Sequence, residues 1–338
     1  MDNSVFVSYK IEERSYVSFV KREIHNLTNA EGFSAQKIGE IDIIIAELTS
    51  NLIKFAKEGE MLYRIGADDN GVYFEVYCMD NGSGIKNLSR MMQDGMSSSE
   101  TLGHGLGSIE RLSDVSSIYT NANWGTIVYS KVYKEPYNRN KAKKEYELGS
   151  VQVCCPGEVV SGDGFAVKRV NGLTQFFMGD GLGHGVNAHE AVQTAIKAFN
   201  ECTESSPTEI LRYIHLNVKK TRGLVATVAC LDLEAKRWTI SGIGNISTSL
   251  YTGLSVKNYT PYNGILGLNI PRTINDSVMA LDKYQMLIMH SDGLRTRWNL
   301  TDLPAILKYD PNIIAASIYK DNARYNDDMT IFAAKINM

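Results

Sequence analysis

Residues 34–57 read SAQKIGEIDIIIAELTSNLIKFAK, and their pattern governs the first half of the chain. Ile38, Ile41, Ile45, Leu48, Leu52 and Phe55 recur at three- and four-residue intervals, which lines apolar side chains along one stripe of a helix. Ser34 stands where an N-cap oxygen is wanted. Glu47 and Asn51, four apart, share a face of that helix. Upstream, Ile11, Val17, Val20, Ile24 and Leu27 predict another helix from Tyr9 to about Ala30. Downstream, MLYRIGA and GVYFEVYCMD are strand-like and are separated by Asp-Asp-Asn-Gly, which is hairpin chemistry. Two glycine loops follow, DNGSGI (80–85) and LGHGLGSI (102–109), the second opening a short helix. SSIYTN and GTIVYSKVY then flank Asn-Trp-Gly. Helices backing a mixed, mostly antiparallel sheet predict an α+β fold.

The polar, basic segment 134–149, KEPYNRNKAKKEYELG, reads as a connector. It divides the chain into domains at 1–133 and 150–338, as expected for 338 residues, more than one hydrophobic core usually serves. Beyond it lie strands VQVCC, FAVKRV and LTQFFMGD, then helices at about 186–202 and 207–220. Further strands follow (LVATVACLDL, RWTISGIG, STSLYT, YQMLIMHSD), with helix around 303–322 and a last strand MTIFAAKI. Apolar residues at 43% and charged residues at 22% exclude a disordered or collagen-like chain. A net charge of −3 gives no global basic field to attract nucleic acid. Five cysteines without secreted-domain spacing, no basic apolar leader and no run of about 20 apolar residues give the expectation of a cytoplasmic protein without a membrane span.

The first half contains no Walker phosphate loop. A carboxylate at Glu47 can take a proton, and the amide oxygen of Asn51 suits the oxygen shell of Mg²⁺. Asp80, with Gly82 and Gly84 beside it, can accept a hydrogen bond from the exocyclic amine of a base. Gly103, Gly105 and Gly107 offer backbone N–H groups and a helix N-terminus to an anion. In this order, Glu47-Leu-Thr-Ser-Asn51, Asp80-Asn-Gly82-Ser-Gly84 and Gly103-His-Gly105-Leu-Gly107 resemble the N, G1 and G2 boxes of the GHKL ATPases. The likeness is stronger to the anti-sigma-factor and stressosome serine kinases, over roughly residues 5–132. The resemblance implies a Bergerat fold, ATP as ligand, Glu47 as general base, Asn51 on Mg²⁺, Asp80 on adenine and 86–102 as a lid. Met91, Met92 and Met96 would pack within that lid. The resemblance also implies dimerisation of this domain.

The second half places aspartates in polar turns next to apolar strands: Ser161-Gly-Asp163-Gly, Gly179-Asp180-Gly181, Ser291-Asp292-Gly293 and Asn326-Asp327-Asp328. Carboxylates converging at a sheet edge repel one another, and cations are the usual compensation. Oxygen ligands without a His/Cys cluster select Mg²⁺ or Mn²⁺ over zinc. GEVVSGDGF, MGDGLGHG, TRGLVATVACLDL, GIGN, GILG, HSDGL and NDDMTI, in that order, resemble the type 2C (PPM) protein phosphatases of the sporulation and stress-response branch. The resemblance implies an αββα sandwich, with Asp163, Asp180, Asp292, Asp327 and the Gly181 carbonyl holding two ions, and His184 as an outer acid. The implied reaction is attack of a metal-activated water on phosphoserine or phosphothreonine, with no phosphoenzyme. Asp328 has no assigned role, and no arginine is matched to phosphate.

Together the two resemblances imply a bifunctional regulator acting on a STAS-type partner-switching protein. The alternative is an ATP-sensing or sigma-factor/antagonist-binding module without kinase chemistry.

Overall fold

The structure, a computed structural model, describes residues 4–11, 14–56, 58–91, 105–137, 145–252 and 255–337. In the first half, β1 (Val7–Lys10), β2 (Gly59–Asp68), β3 (Gly71–Asp80), β4 (Val115–Asn121) and β5 (Gly125–Tyr133) form one antiparallel sheet in the order β1-β2-β3-β5-β4. Helices α1 (Arg14–Ala30), α2 (Ala35–Phe55), α3 (Leu88–Met91) and α4 (Gly105–Leu112) accompany it. The β2–β3 turn closes on Asp68 and Gly71, and the Asp68 carboxylate accepts from Asn70 N–H at 2.7 Å. The Ser34 side chain accepts from Lys37 N–H at the start of α2, as an N-cap should.

The first helix departs from the sequence reading. The expected helix from Tyr9 begins only at Arg14, because Val7–Lys10 pair with Tyr63–Glu60 as an edge strand. Ser8 also donates a hydrogen bond to Glu60 at 2.6 Å. The four-residue run is too short for its period-2 alternation to stand out against the helical spacing that follows.

The second half is a two-sheet sandwich. One sheet has the order β13-β10-β9-β8-β7, from β7 (Asp163–Val170), β8 (Leu173–Gly181), β9 (Leu224–Asp232), β10 (Arg237–Ile243) and β13 (Ser277–Ala280). The other has the order β12-β11-β14-β15-β6, from β6 (Tyr146–Val153), β11 (Ser247–Tyr251), β12 (Val256–Tyr259), β14 (Met286–His290) and β15 (Met329–Ile336). Phe165, Phe176, Met178, Trp238, Leu287 and Phe332 fill the space between them. Helices α5 (Val186–Glu201) and α6 (Pro207–Asn217) cover the outer face of the first sheet. Tyr146–Gly149, polar enough to read with the connector, belong to β6, where Tyr146 and Leu148 pack on the inter-sheet core.

The outer face of the second sheet carries α7 (Pro311–Asn322). Ile313–Tyr319 is buried without a break and, Ser317 apart, apolar, so the middle of this helix is covered on every side. Its other cover is the face of the β1-β2-β3-β5-β4 sheet away from α1 and α2. Leu62, Tyr77, Met79, Ile127 and Tyr129 share one continuous core with α7. The Tyr77 hydroxyl reaches Ser150 O at 3.1 Å and Asn312 Oδ1 at 3.0 Å, tying the two halves together.

Candidate functional site

In the first half, α2 turns its stripe Ile38–Leu52 toward the sheet, leaving Glu47 and Asn51 half-buried beside it. Asp80 ends β3, opposite Gly59 on one side and Thr126 on the other. Its Oδ1 accepts from Gly82 N–H at 2.7 Å. Burial pushes the Asp80 carboxyl up from its ordinary value, against the pull of Gly82 N–H, Lys320 and Thr126 N–H. The glycines here are sterically required. A Cβ at Gly84, whose φ is +72°, would stand 2.4 Å from Asn121 O, and one at Gly82 would stand 2.7 Å from Phe55 O. Thus the Asp80–Gly84 turn lies against the end of α2, and α4, opening at Gly105 with Gly107 in its first turn, packs on α2 through Leu106 and Ile109. Gly103, Met92, Met96 and most of the expected lid lie outside the described residues. Met91 is half-buried against the α2 core.

In the second half, the aspartates gather at one end of the sandwich, from both sheets. Asp163 opens β7 and is the register partner of Asp180 near the end of β8. Asp292 follows β14, and Asp327 precedes β15. Asp163 is 1% exposed. Its Oδ2 accepts from Ser291 Oγ at 2.6 Å, while its Oδ1 is buried with no hydrogen-bond partner. Burial first, and then Asp180, pushes the Asp163 carboxyl well above the ordinary carboxylate range. For Asp180, burial is again the largest cause, followed by Asp292, Asp327 and Asp328. Asp292 Oδ2 accepts from Asn245 Nδ2 at 2.9 Å.

Asp328 has a different part. Its two oxygens accept from Cys155 N–H at 2.8 Å and Gly162 N–H at 2.7 Å, which pins the 155–162 loop beside Asp163. Gly181 is packed so closely that a Cβ would stand 2.4 Å from Ala188 O. His184 pairs through Nδ1 with Glu158 at 2.7 Å at the exposed rim. Among the described residues, no three His, Cys, Asp or Glu side chains close on a single point, so the aspartates share a neighbourhood and are not drawn into a finished cage. An oxygen-only set, mutual repulsion and an unpartnered buried carboxylate oxygen nevertheless have the donor chemistry that suits a hard divalent cation.

Ser291 and Asn245 orient Asp163 and Asp292. The sequence assigns neither a role: Ser291 stands in the Ser291-Asp292-Gly293 turn and Asn245 in GIGN, and only the fold brings them to the carboxylates. All five cysteines are unpaired. No helix among the described residues is long and apolar enough to cross a membrane.

Comparison with known proteins follows the same division. The histidine kinase-like ATPase domain family matches residues 12–131, and the stage II sporulation protein E (SpoIIE) family matches residues 171–337. The serine/threonine-protein kinase RsbT of Bacillus subtilis (strain 168) is 32% identical over 103 residues, covering 30% of this chain and 77% of RsbT. The phosphoserine phosphatase RsbX of the same organism is 26% identical over 185 residues, covering 54% of this chain and 90% of RsbX. A crystal structure of RsbX in complex with magnesium superposes with a TM-score of 0.52 at 20% identity, covering 58% of this chain and 98% of that one, a likeness of fold.

Proposed function

Because the chain belongs to the RsbT-like, histidine kinase-like ATPases in its first half and carries a SpoIIE-type PP2C phosphatase domain in its second, we propose that it is a bifunctional partner-switching regulator. A PP2C fold and an ATPase domain imply metal and ATP use, and the relatives imply protein partners. The finer reading is a Mg²⁺- or Mn²⁺-dependent phosphoserine/phosphothreonine phosphatase whose first domain phosphorylates the same STAS-type protein, in the cytoplasm. Its proposed domains are 1–133 and 150–338, the second taking in Tyr146–Gly149 of β6 from the connector.

The observation that carries the phosphatase reading is Asp163: buried, register-paired with Asp180, and with one carboxylate oxygen unpartnered. Asp163, Asp180, Asp292, Asp327 and the Gly181 carbonyl would hold the cations. When bound, they supply a water acidic enough to attack phosphorus at neutral pH. Ser291 holds the Asp163 carboxylate in place, Asn245 holds that of Asp292, and Asp328 keeps the 155–162 loop closed on the site. In the first domain Glu47 would take the proton of the substrate hydroxyl, Asn51 would reach Mg²⁺, and Asp80 would accept from adenine. Gly82, Gly84, Gly103, Gly105 and Gly107 would admit the nucleotide.

The deciding experiment is Mn²⁺-dependent hydrolysis of p-nitrophenyl phosphate. Activity that survives Asp180→Ala or Asp292→Ala defeats the cation assignment. For the first domain, the test is phosphosite mass spectrometry of candidate STAS proteins incubated with ATP and either the wild type or Glu47→Ala. Equal phosphorylation by both removes Glu47 as the base.

One observation favours the second reading, an ATP-sensing domain without transfer: the continuous core that joins the ATPase sheet to α7. On that reading phosphatase turnover changes with added ATP while no phosphate reaches the partner protein.

A further inference from the structure

We propose that Glu60, in the first half of the chain, is a positioning residue for the phosphatase centre, holding the turn that carries Asp327. Glu60 lies on β2, far from Asp327 in sequence. Its Oε1 accepts from Tyr319 of α7 at 3.0 Å, and its Oε2 accepts from Tyr325 at 3.1 Å. Ser8 donates to the same Oε1 at 2.6 Å, so the carboxylate is held from its own side as well. Lys10 of β1 lies 4.7 Å from the centre of the Tyr325 ring.

Tyr325 is where the turn needs holding. Its φ is +55°, a left-handed conformation that a bulky residue keeps only when its surroundings impose it. Asp327 follows two residues later, and its carboxylate accepts from Asp328 N–H at 2.9 Å. On the other side of Tyr325, Arg324 donates through its N–H to Gly293 O at 3.0 Å and through Nη1 to Asp292 O at 3.2 Å. The 324–328 turn is therefore suspended between the Asp292 loop and a carboxylate of the other domain. Residues that hold ligands in place govern how tightly a cation binds without touching it.

This inference rests on Asp327 being a cation ligand. Calorimetric titration of the full chain with Mn²⁺ separates the two claims. Glu60→Ala and Tyr325→Phe are expected to weaken Mn²⁺ binding roughly 10–100-fold while ATP binding is kept. Glu60→Gln, whose amide oxygen can still accept one tyrosine hydroxyl, recovers part of the loss. Trp124→Phe, which removes the 2.8 Å bond to Asp321 at the same interface, leaves Mn²⁺ affinity unchanged. Unchanged affinity in both Glu60→Ala and Tyr325→Phe, with binding lost in Asp327→Ala, overturns the role of Glu60 alone. An equal loss in Trp124→Phe overturns it too, since the effect then belongs to the interface as a whole. Unchanged binding in Asp327→Ala overturns the premise itself. Tyr325→Phe removes one oxygen and keeps the ring, so it answers the question even where Glu60→Ala fails to fold.

Discussion

Asp163 and Asp180 are direct register partners across the antiparallel β7–β8 ladder, so two carboxylates face each other where a ladder ordinarily avoids like charges. Both titrate well above the ordinary carboxylate range, burial being the largest cause in each. The folded chain therefore holds their protons more tightly than the unfolded chain, whose carboxyls titrate near about 3.9. Their contribution to stability is present below that value and is lost as pH rises through the folded values. In protein treated with EDTA, Asp163→Asn should gain stability over wild type, and the gain should widen from pH 4 to pH 8. A gain of about 1 kcal/mol raises Tm by roughly 1–2 °C for a chain of this length unfolding as one unit. Calorimetric scans across pH check this, and a difference independent of pH refutes it.

Ser291 donates to Asp163 Oδ2 and accepts from Thr330 N–H at 3.1 Å. Ser291→Ala should lower Mn²⁺-dependent kcat/KM for p-nitrophenyl phosphate roughly 10–100-fold, because Asp163, the proposed cation ligand, loses its orienting partner. Rescue at high Mn²⁺ would locate the defect in cation binding, and wild-type kinetics would show that the bond is dispensable.

As the proposed adenine contact, Asp80 accepts from an exocyclic amine more strongly when ionised than when protonated, and burial raises its pKa. ATP affinity should hold above that raised value and weaken as pH falls through it. Asp80→Asn should lower affinity about tenfold or more at pH 7 and abolish this pH dependence. Isothermal titration between pH 5 and pH 8 measures both effects. Gly84→Ala should also impair binding, since its Cβ would meet Asn121 O at 2.4 Å in a backbone already at φ +72°.

The core shared by α7 and the β1–β5 sheet should make the two halves unfold as one unit. Trp124 reports on the first half and Trp238 on the second. Variants retaining one or the other should give coincident urea transitions. Ile313→Ala or Ile314→Ala should cost about 2–5 kcal/mol and shift both transitions together. Two separated transitions in the wild type would rule out the shared core as the link.

The parts legible in the sequence were local. The stripe of α2 with its Ser34 cap, the Asp-Asn turn of the β2–β3 hairpin and the Asp-Gly turns each carry their signal within a few residues. The candidate site was legible as residue types in turns, but the partners Ser291 and Asn245 lie in turns distant in the chain from the carboxylates they hold and have no periodic signature. The strand at Val7–Lys10 was hidden by its length. Helix α7 was expected within 303–322, yet the run IIAASIY, apolar but for Ser317, was itself a sign of a helix enclosed from both sides. What encloses it could not be read from one segment, because Leu62, Tyr77 and Tyr129 lie far away in the chain.

A Cβ on Gly149 would stand 2.1 Å from Asn312 N, so β6 and the start of α7 touch backbone to backbone. A phosphatase fragment beginning at β6 would keep this contact but bare the flank of α7 that Leu62, Tyr77 and Tyr129 cover. An isolated ATPase fragment would bare the matching face of its sheet. Each piece would be adhesive, prone to self-association or to capture by unrelated proteins. The fusion is therefore a mutual shield: whatever either half does, it does with its neighbour serving as part of its solvent boundary.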